Sequence, residues 1–212
     1  MNQRYDLSKF RHAWDKAYGD HRDVLATLTN TIYKNKEDRL AAHLKSSSDW
    51  MIDRTALRYY GLKHLIEEGI VSGKKLDGLI LDIGCHLGSS VDALAMFGGK
   101  VKGVDCGDFG IASPSGIMLG VAEGIYFVDS HRNSNPKPST ITCYNADWVE
   151  SMSSKGWRNR FYEASLGALS RGGQIIMTFQ HEQKIPADLK SKVYMLPSHL
   201  SRMDNYAVIG TK

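Results

Sequence analysis

From residue 76 onward, short apolar runs alternate with segments of helical composition, and this alternation restricts the fold more than any other feature of the chain. The runs are LILDI at 79–83, VKGVD at 101–105, GIYFV at 124–128, TITCYN at 140–145, QIIMTF at 174–179, KVYML at 192–196 and YAVIG at 206–210. Candidate helices fall between them, near 89–97, 114–122, 155–170 and 186–191. Strands that alternate with helices build βαβ units and a mainly parallel sheet. Only LPSHLSRMDN separates the last two runs, too little for a helix, so they are expected as an antiparallel pair at the sheet end. The expected architecture is α/β: a Rossmann-like, doubly wound sheet of seven strands with the last antiparallel.

Residues 1–75 read differently. Residues 8–44 have helical composition, KSSSDW at 45–50 is a polar break, and Ser48 or Asp49 is a candidate cap. Residues 51–69 predict a helix, with Ile52, Ala56, Tyr59, Leu62, Leu65 and Ile66 near helical spacing, ended by Gly69 and Gly73. The chain thus divides into a helical extension, 1–75, and a core, 76–212. The extension holds 14 Lys+Arg against 10 Asp+Glu, and the core 13 of each, so the whole net charge of +4 lies in the extension. A basic extension on a neutral body suits an anionic partner such as RNA, and equally describes a solvated helical face.

With 212 residues, 42% of them apolar, the chain is long enough for one substantial core. No segment approaches the roughly 20 apolar residues of a membrane span. The start, MNQRYDLSKFRHAW, lacks the apolar centre of a secretory signal. Cys85, Cys106 and Cys143 are odd in number and far apart, with no zinc-type spacing. Reduced thiols, a cytoplasmic location and no structural metal are therefore expected.

The first run leads into LDIGCHLGSS, 81–90. Ligands of open α/β sheets bind beyond the carboxyl ends of the strands, so this loop is the expected floor of a site. Gly84 and Gly88 allow a tight turn and close approach, and Ser89 or Ser90 can cap the next helix. A dinucleotide fingerprint would need glycine where His86 and Ser89 stand, and no GK[ST] of a phosphate loop follows. An acid, Asp82, opens the turn instead, which suits a cationic ligand end such as the ammonium and sulfonium of S-adenosylmethionine. Asp105 ends the second run, placed to accept from both ribose hydroxyls. Asp129 follows the third run, placed to receive an adenine amino group.

The combination LDIGCHLG, KGVD, VDS at 128–130 and RGGQIIMTF at 171–179 resembles the class I S-adenosylmethionine-dependent methyltransferases over residues 76–212. The resemblance implies S-adenosylmethionine as cofactor, held by Asp82, Gly84, Cys85, His86, Gly88, Asp105 and Asp129, with His86 lining the site. It also implies that residues after the fourth strand face the transferable methyl. Asn145-Ala146-Asp147-Trp148 there lacks the two prolines of the base N-methylating tetrad. A partial similarity to FtsJ-type ribose 2′-O-methyltransferases implies Lys63 as base, Asp147 as its acidic partner and Asp204 in the place of a glutamate. Met177 or Thr178 stands where that family has its second lysine, and Lys184 follows in the next loop. A ribose hydroxyl must lose a proton as the methyl transfers, and a lysine of lowered pKa can take it. Tyr144 and Trp148 are candidates to stack on a flat acceptor. The chain is expected to be a methyltransferase acting on an RNA ribose; the alternatives are a small-molecule O- or N-methyltransferase with residues 1–70 as a lid, and a subunit that binds the cofactor without catalysis.

Overall fold

The structure is a computed structural model that describes residues 54–55, 57–107, 113, 117–147, 156–181, 191–197 and 204–212. The expected helix at 8–44, the break at 45–50, Ala56, Trp148, Lys184 and the helix at 186–191 lie outside the described residues.

The elements are a helix α1 at 57–67, a 3-10 turn Gly73–Leu76, β1 Leu79–Ile83, α2 Ser89–Ala95, β2 Lys100–Asp105, β3 Leu119–Val121, α3 Gly124–Ser130, β4 Thr140–Cys143, α4 Trp157–Ala168, β5 Gln174–Phe179, β6 Ser191–Met195 and β7 Tyr206–Thr211. One seven-stranded sheet has the order β3-β2-β1-β4-β5-β7-β6. All neighbours pair in parallel except β7, which is antiparallel to both β5 and β6. The expected α/β sheet and its antiparallel end are thus present, and β7 inserts between β5 and β6.

β1 and β5 are buried at every residue because helices cover both faces. Alternate β1 residues Leu79, Leu81 and Ile83 pack with Val128 of α3 and with Trp157, Phe161 and Ala168 of α4. Ile80 faces the other way, with Leu62 and Leu65 of α1 and Val91 and Leu94 of α2. Asp82 has the parity of Ile80 and lies under α1 and α2 at the carboxyl end.

Two expected elements are exchanged. GIYFV is not the third strand: Gly124–Ser130 is helical, with the Glu123 side chain accepting from the Tyr126 amide at 3.1 Å as its N-cap. Ile125, Phe127 and Val128 pack on the core while Tyr126 is 77% exposed, a pattern helical in period rather than alternating. The third strand is Leu119–Val121, inside the expected helix 114–122. As an edge strand of three residues with one neighbour, it needs no apolar run.

Candidate active site at the carboxyl ends of the strands

The loop after β1 turns through left-handed backbone at Gly84 (φ 70°), His86 (φ 49°) and Gly88 (φ 84°). The Gly84 and Cys85 amides donate to the Val104 carbonyl at 2.9 and 3.1 Å, tying the loop to the end of β2. Asp105 completes the turn: its Oδ2 accepts from the His86 amide at 2.9 Å and its Oδ1 from the Gly107 amide at 3.1 Å. Gly88 is the N-cap of α2, without a side-chain cap, and a Cβ there would lie 2.5 Å from the Ser113 Cβ. The Cys85 thiol is pushed up from its ordinary value, chiefly by burial and then by Asp82 and Asp105, so it stays protonated.

Asp82 is fully buried. Its carboxylate accepts from the Ser90 hydroxyl at 2.5 Å and the Thr142 hydroxyl at 2.6 Å. Ser90 thus serves Asp82 rather than capping α2. Burial raises the Asp82 pKa to about 6, against the opposing pull of Ser90, Thr142 and Arg58. The charge of Arg58 acts on it through space. A cationic ligand end above this loop would compensate a buried carboxylate, so the site fits the group expected from the sequence.

On the other side of β1, β4 runs out into Tyr144 and Asn145, the latter at φ 54°. Because β7 is antiparallel, with Tyr206 opposite Phe179, the residue leading into it, Asp204, arrives at the carboxyl end of β5. Its Oδ1 accepts from the Asn145 amide at 3.0 Å and from the Thr178 hydroxyl. Thr178 Oγ1 also accepts from the Asn145 amide at 2.9 Å. Asp147 sits beside this cluster, its Oδ2 accepting from the Gln180 amide at 2.7 Å.

Two expected site residues are elsewhere. Lys63 is exposed, with Nζ 3.8 Å from Glu67 on α1. The inward face of α1 is Arg58, Leu62 and Leu65, and Lys63 falls outside that stripe. Such an exposed pair contributes roughly 0.3–0.5 kcal/mol. Lys63→Ala is therefore expected to leave urea-unfolding stability within about 0.5 kcal/mol and to spare any methyl transfer, as a labelled-methyl assay would show. Asp129 lies on α3 rather than at a strand end, paired with Arg132 at 2.7 Å. The acid that follows β3 is Glu123.

The cation at the site is Arg58, which the sequence reading missed. It is buried, donates to the Ser89 hydroxyl, lies 3.9 Å from Asp204 and stacks 5.0 Å over the Tyr144 ring. A cation inside an otherwise apolar helical stripe is the signal that marks it. Arg54 is nearby: burial, then Arg58, lowers its pKa to about 10, against Asp204, and it remains charged at neutral pH. Among the described residues no cluster suited to a metal ion occurs, and no helix is long and apolar enough to cross a membrane.

No family model matches the chain, and no curated protein does. Solved structures do match. A S-adenosylmethionine-dependent methyltransferase from Archaeoglobus fulgidus aligns over 73% of this chain and 94% of its own, at 12% identity and TM-score 0.51. This is the class I methyltransferase fold. A TehB-like methyltransferase from Corynebacterium glutamicum aligns over 71% of this chain and 94% of its own, at 16% identity and TM-score 0.47. An rRNA methylase from Streptococcus thermophilus covers 66% of this chain and 93% of its own, at 13% identity and TM-score 0.45. In the methyltransferase fold of this chain, the glycine turn, Asp82 and Asp105 share one end of the sheet with Arg58, Asn145, Thr178 and Asp204.

Proposed function

We propose that the chain is an S-adenosylmethionine-dependent methyltransferase that acts on a small-molecule acceptor. The observation that carries this is Asp82, a fully buried carboxylate beneath a left-handed glycine turn, with hydroxyl partners and no cation in contact among the described residues. S-adenosylmethionine supplies a methyl group on a sulfonium, open to in-line displacement by a nucleophile. Asp82 offsets positive charge above the turn. Asp105 fixes the loop through the His86 and Gly107 amides and also bonds the Cys106 thiol, and a carboxylate with about four lone-pair sites can still accept from a ribose hydroxyl. Asp105→Asn keeps the size of the side chain but removes the charge and one acceptor. It is expected to weaken S-adenosylhomocysteine at least ~10-fold in titration calorimetry, the loss of about 1.5 kcal/mol typical of a bond to a charged group.

For the acceptor, α1 covers the carboxyl ends of β4 and β5, and Leu57, Arg58, Tyr144, Thr178 and Asp204 line a narrow cleft there. Its described lining contains neither lysine nor histidine. A hydroxyl that must lose its proton therefore finds only Asp204 there, already accepting two hydrogen bonds. Methylation of an RNA ribose has the basic extension in its favour, 14 Lys+Arg against 10 Asp+Glu over residues 1–75. Among the described residues no lysine stands as its base, because Lys63 lies on the exposed face of α1.

Transfer of a labelled methyl group to a small-molecule extract and, separately, to total RNA tests the proposal. Label is expected in the extract and not in RNA. Label in alkali-resistant dinucleotides would overturn the small-molecule acceptor in favour of a ribose. Cofactor binding with no transfer to either pool would make the chain a silent binding subunit.

A further inference from the structure

Arg58 is a buried cation that no step of the proposed transfer uses. Its guanidinium reaches three elements at the carboxyl end of the sheet. Nη1 donates to the hydroxyl of Ser89, the first residue of α2 and the next after Gly88 of the turn. The planar group lies 5.0 Å over the ring of Tyr144, which follows β4. Nε is 3.9 Å from Oδ2 of Asp204, which leads into β7. Asp204 Oδ1 is engaged separately, by the Asn145 amide and the Thr178 hydroxyl. One side chain of α1 thus joins the start of α2 to the ends of β4 and β7. Five N–H donors in a rigid plane suit such a bridge, and a lysine, a point charge on a flexible stem, does not replace it.

The bridge bears on Asp82 in two ways. Ser89, held by Arg58, is followed in α2 by Ser90, whose hydroxyl donates to Asp82. Fixing the first turn of α2 therefore aims Ser90 at the carboxylate. The second way is charge. Burial favours the neutral form of Asp82, while Ser90, Thr142 and Arg58 favour the ionised one. Of those three, Arg58 alone brings a charge. Asp105 on β2 works against it. Cys85, Cys143 and Tyr144 also feel Asp82, but burial pushes all three up and they stay neutral. Arg54 and Arg58 stand against Asp82 and Asp204, so the cluster is balanced within itself.

We propose that Arg58 is the positioning residue of the cofactor turn: it pins Ser89 at the start of α2 and presents its charge to Asp82, so that the turn meets the cationic cofactor with its shape and its carboxylate ready. The proposal rests on the methyltransferase reading and adds to that site a residue of α1.

The test is titration calorimetry of the full chain with S-adenosylmethionine between pH 5 and pH 8. The affinity of the parent should hold from pH 8 to about pH 6 and fall ~10-fold by pH 5, as Asp82, its pKa raised by burial to about 6, takes up a proton. Arg58→Met should move that fall upward by at least about 0.5 pH units. In the Asp82→Asn background Arg58→Met should leave the profile where it is, whatever His86 in the turn adds to it. Ser89→Ala tests the pin apart from the charge. It should weaken S-adenosylmethionine and S-adenosylhomocysteine alike, ~5-fold, without moving the profile. Arg58→Lys keeps the charge and loses the fork, and should do the same. Ser89→Ala added to Arg58→Lys should then weaken binding by less than a further ~2-fold. An unmoved profile in Arg58→Met, a shift that persists without Asp82, or full affinity in both Ser89→Ala and Arg58→Lys would each overturn the proposal. If Arg58→Met does not unfold cooperatively in urea, Ser89→Ala and Arg58→Lys decide it. Failure of the parent to bind either compound would overturn the methyltransferase reading instead. The ligand-free chain then decides the role of Arg58 alone: Arg58→Met should lower the urea midpoint more at pH 8 than at pH 5, and equally at both in the Asp82→Asn background.

Discussion

Asp82→Asn is expected to make the ligand-free chain more stable at pH 8, by about 2 kcal/mol, and at the same time to weaken its hold on S-adenosylmethionine. Burial holds the Asp82 pKa at about 6 in the folded chain, above the ordinary 3.8 that applies when the chain is unfolded. The folded state therefore binds this proton more tightly than the unfolded state does. Asp82 costs nothing below about pH 4, costs progressively more as the pH rises through its folded value, and reaches a constant cost above it. The gap between 3.8 and about 6 corresponds to about 3 kcal/mol. An asparagine escapes that cost but leaves one of the Ser90 and Thr142 hydroxyls to reorient, which takes back about 1 kcal/mol. Urea unfolding of both chains between pH 4 and pH 8 reads the difference directly. The advantage of the variant should be near zero or negative at the acid end and full by pH 7. A variant less stable than the parent at pH 8 would mean that Asp82 is a stabilising brace and not a charge kept at a cost for a cationic ligand.

Gly88→Val is expected to cost about 3 kcal/mol of stability and to abolish cofactor binding. Gly88 has φ 84°, and its absent Cβ would stand 2.5 Å from the Ser113 Cβ and 2.8 Å from the Ser113 Cα. Ser113 is itself buried and held by its hydrogen bonds with Ile117 at 2.8 and 3.1 Å, so the backbone has little room to yield. Left-handed strain of order 1–3 kcal/mol and overpacking of similar size act together. Gly69→Ala separates them. Gly69 has φ 68° with nothing within 4 Å of its virtual Cβ. It should therefore show only the strain, about 1 kcal/mol, with S-adenosylhomocysteine bound as in the parent. If Gly88→Val cost no more than Gly69→Ala, close packing of the turn against Ser113 would not be what requires glycine at 88.

The parallel core was legible because its strands are buried on both faces: LILDI and QIIMTF are mainly apolar runs bounded by turn residues, and both stand at the residues expected. The exchange around residues 114–130 has the same physical origin seen from the other side. β3 is three residues on an edge, with too little apolar surface to register in the sequence. Gly124–Ser130, by contrast, carries a run of apolar residues that serves a helix packed on the core. Asp129 moved with it, from an expected strand end to a helix and an ion pair with Arg132. That the glycine turn, Asp82 and Asp105 share one edge could be read from spacing, because consecutive strands of a parallel sheet deliver their ends to one edge. The arrangement beyond β4 depends on two placements that spacing does not give. The antiparallel β7 carries Asp204 to the Asn145 amide. The rotation of α1 selects Arg58 rather than Lys63, two cations five residues apart on one helix. Only the company of Leu62 and Leu65 distinguishes them.

The most direct test of the cofactor site is titration calorimetry of the full chain with S-adenosylmethionine and with S-adenosylhomocysteine. One molecule of each is expected to bind per chain, with both affinities reduced in Asp105→Asn and the preference for the cationic S-adenosylmethionine reduced in Asp82→Asn. No binding of either compound by a chain that unfolds cooperatively in urea would contradict the assignment and leave a methyltransferase fold without a methyltransferase site.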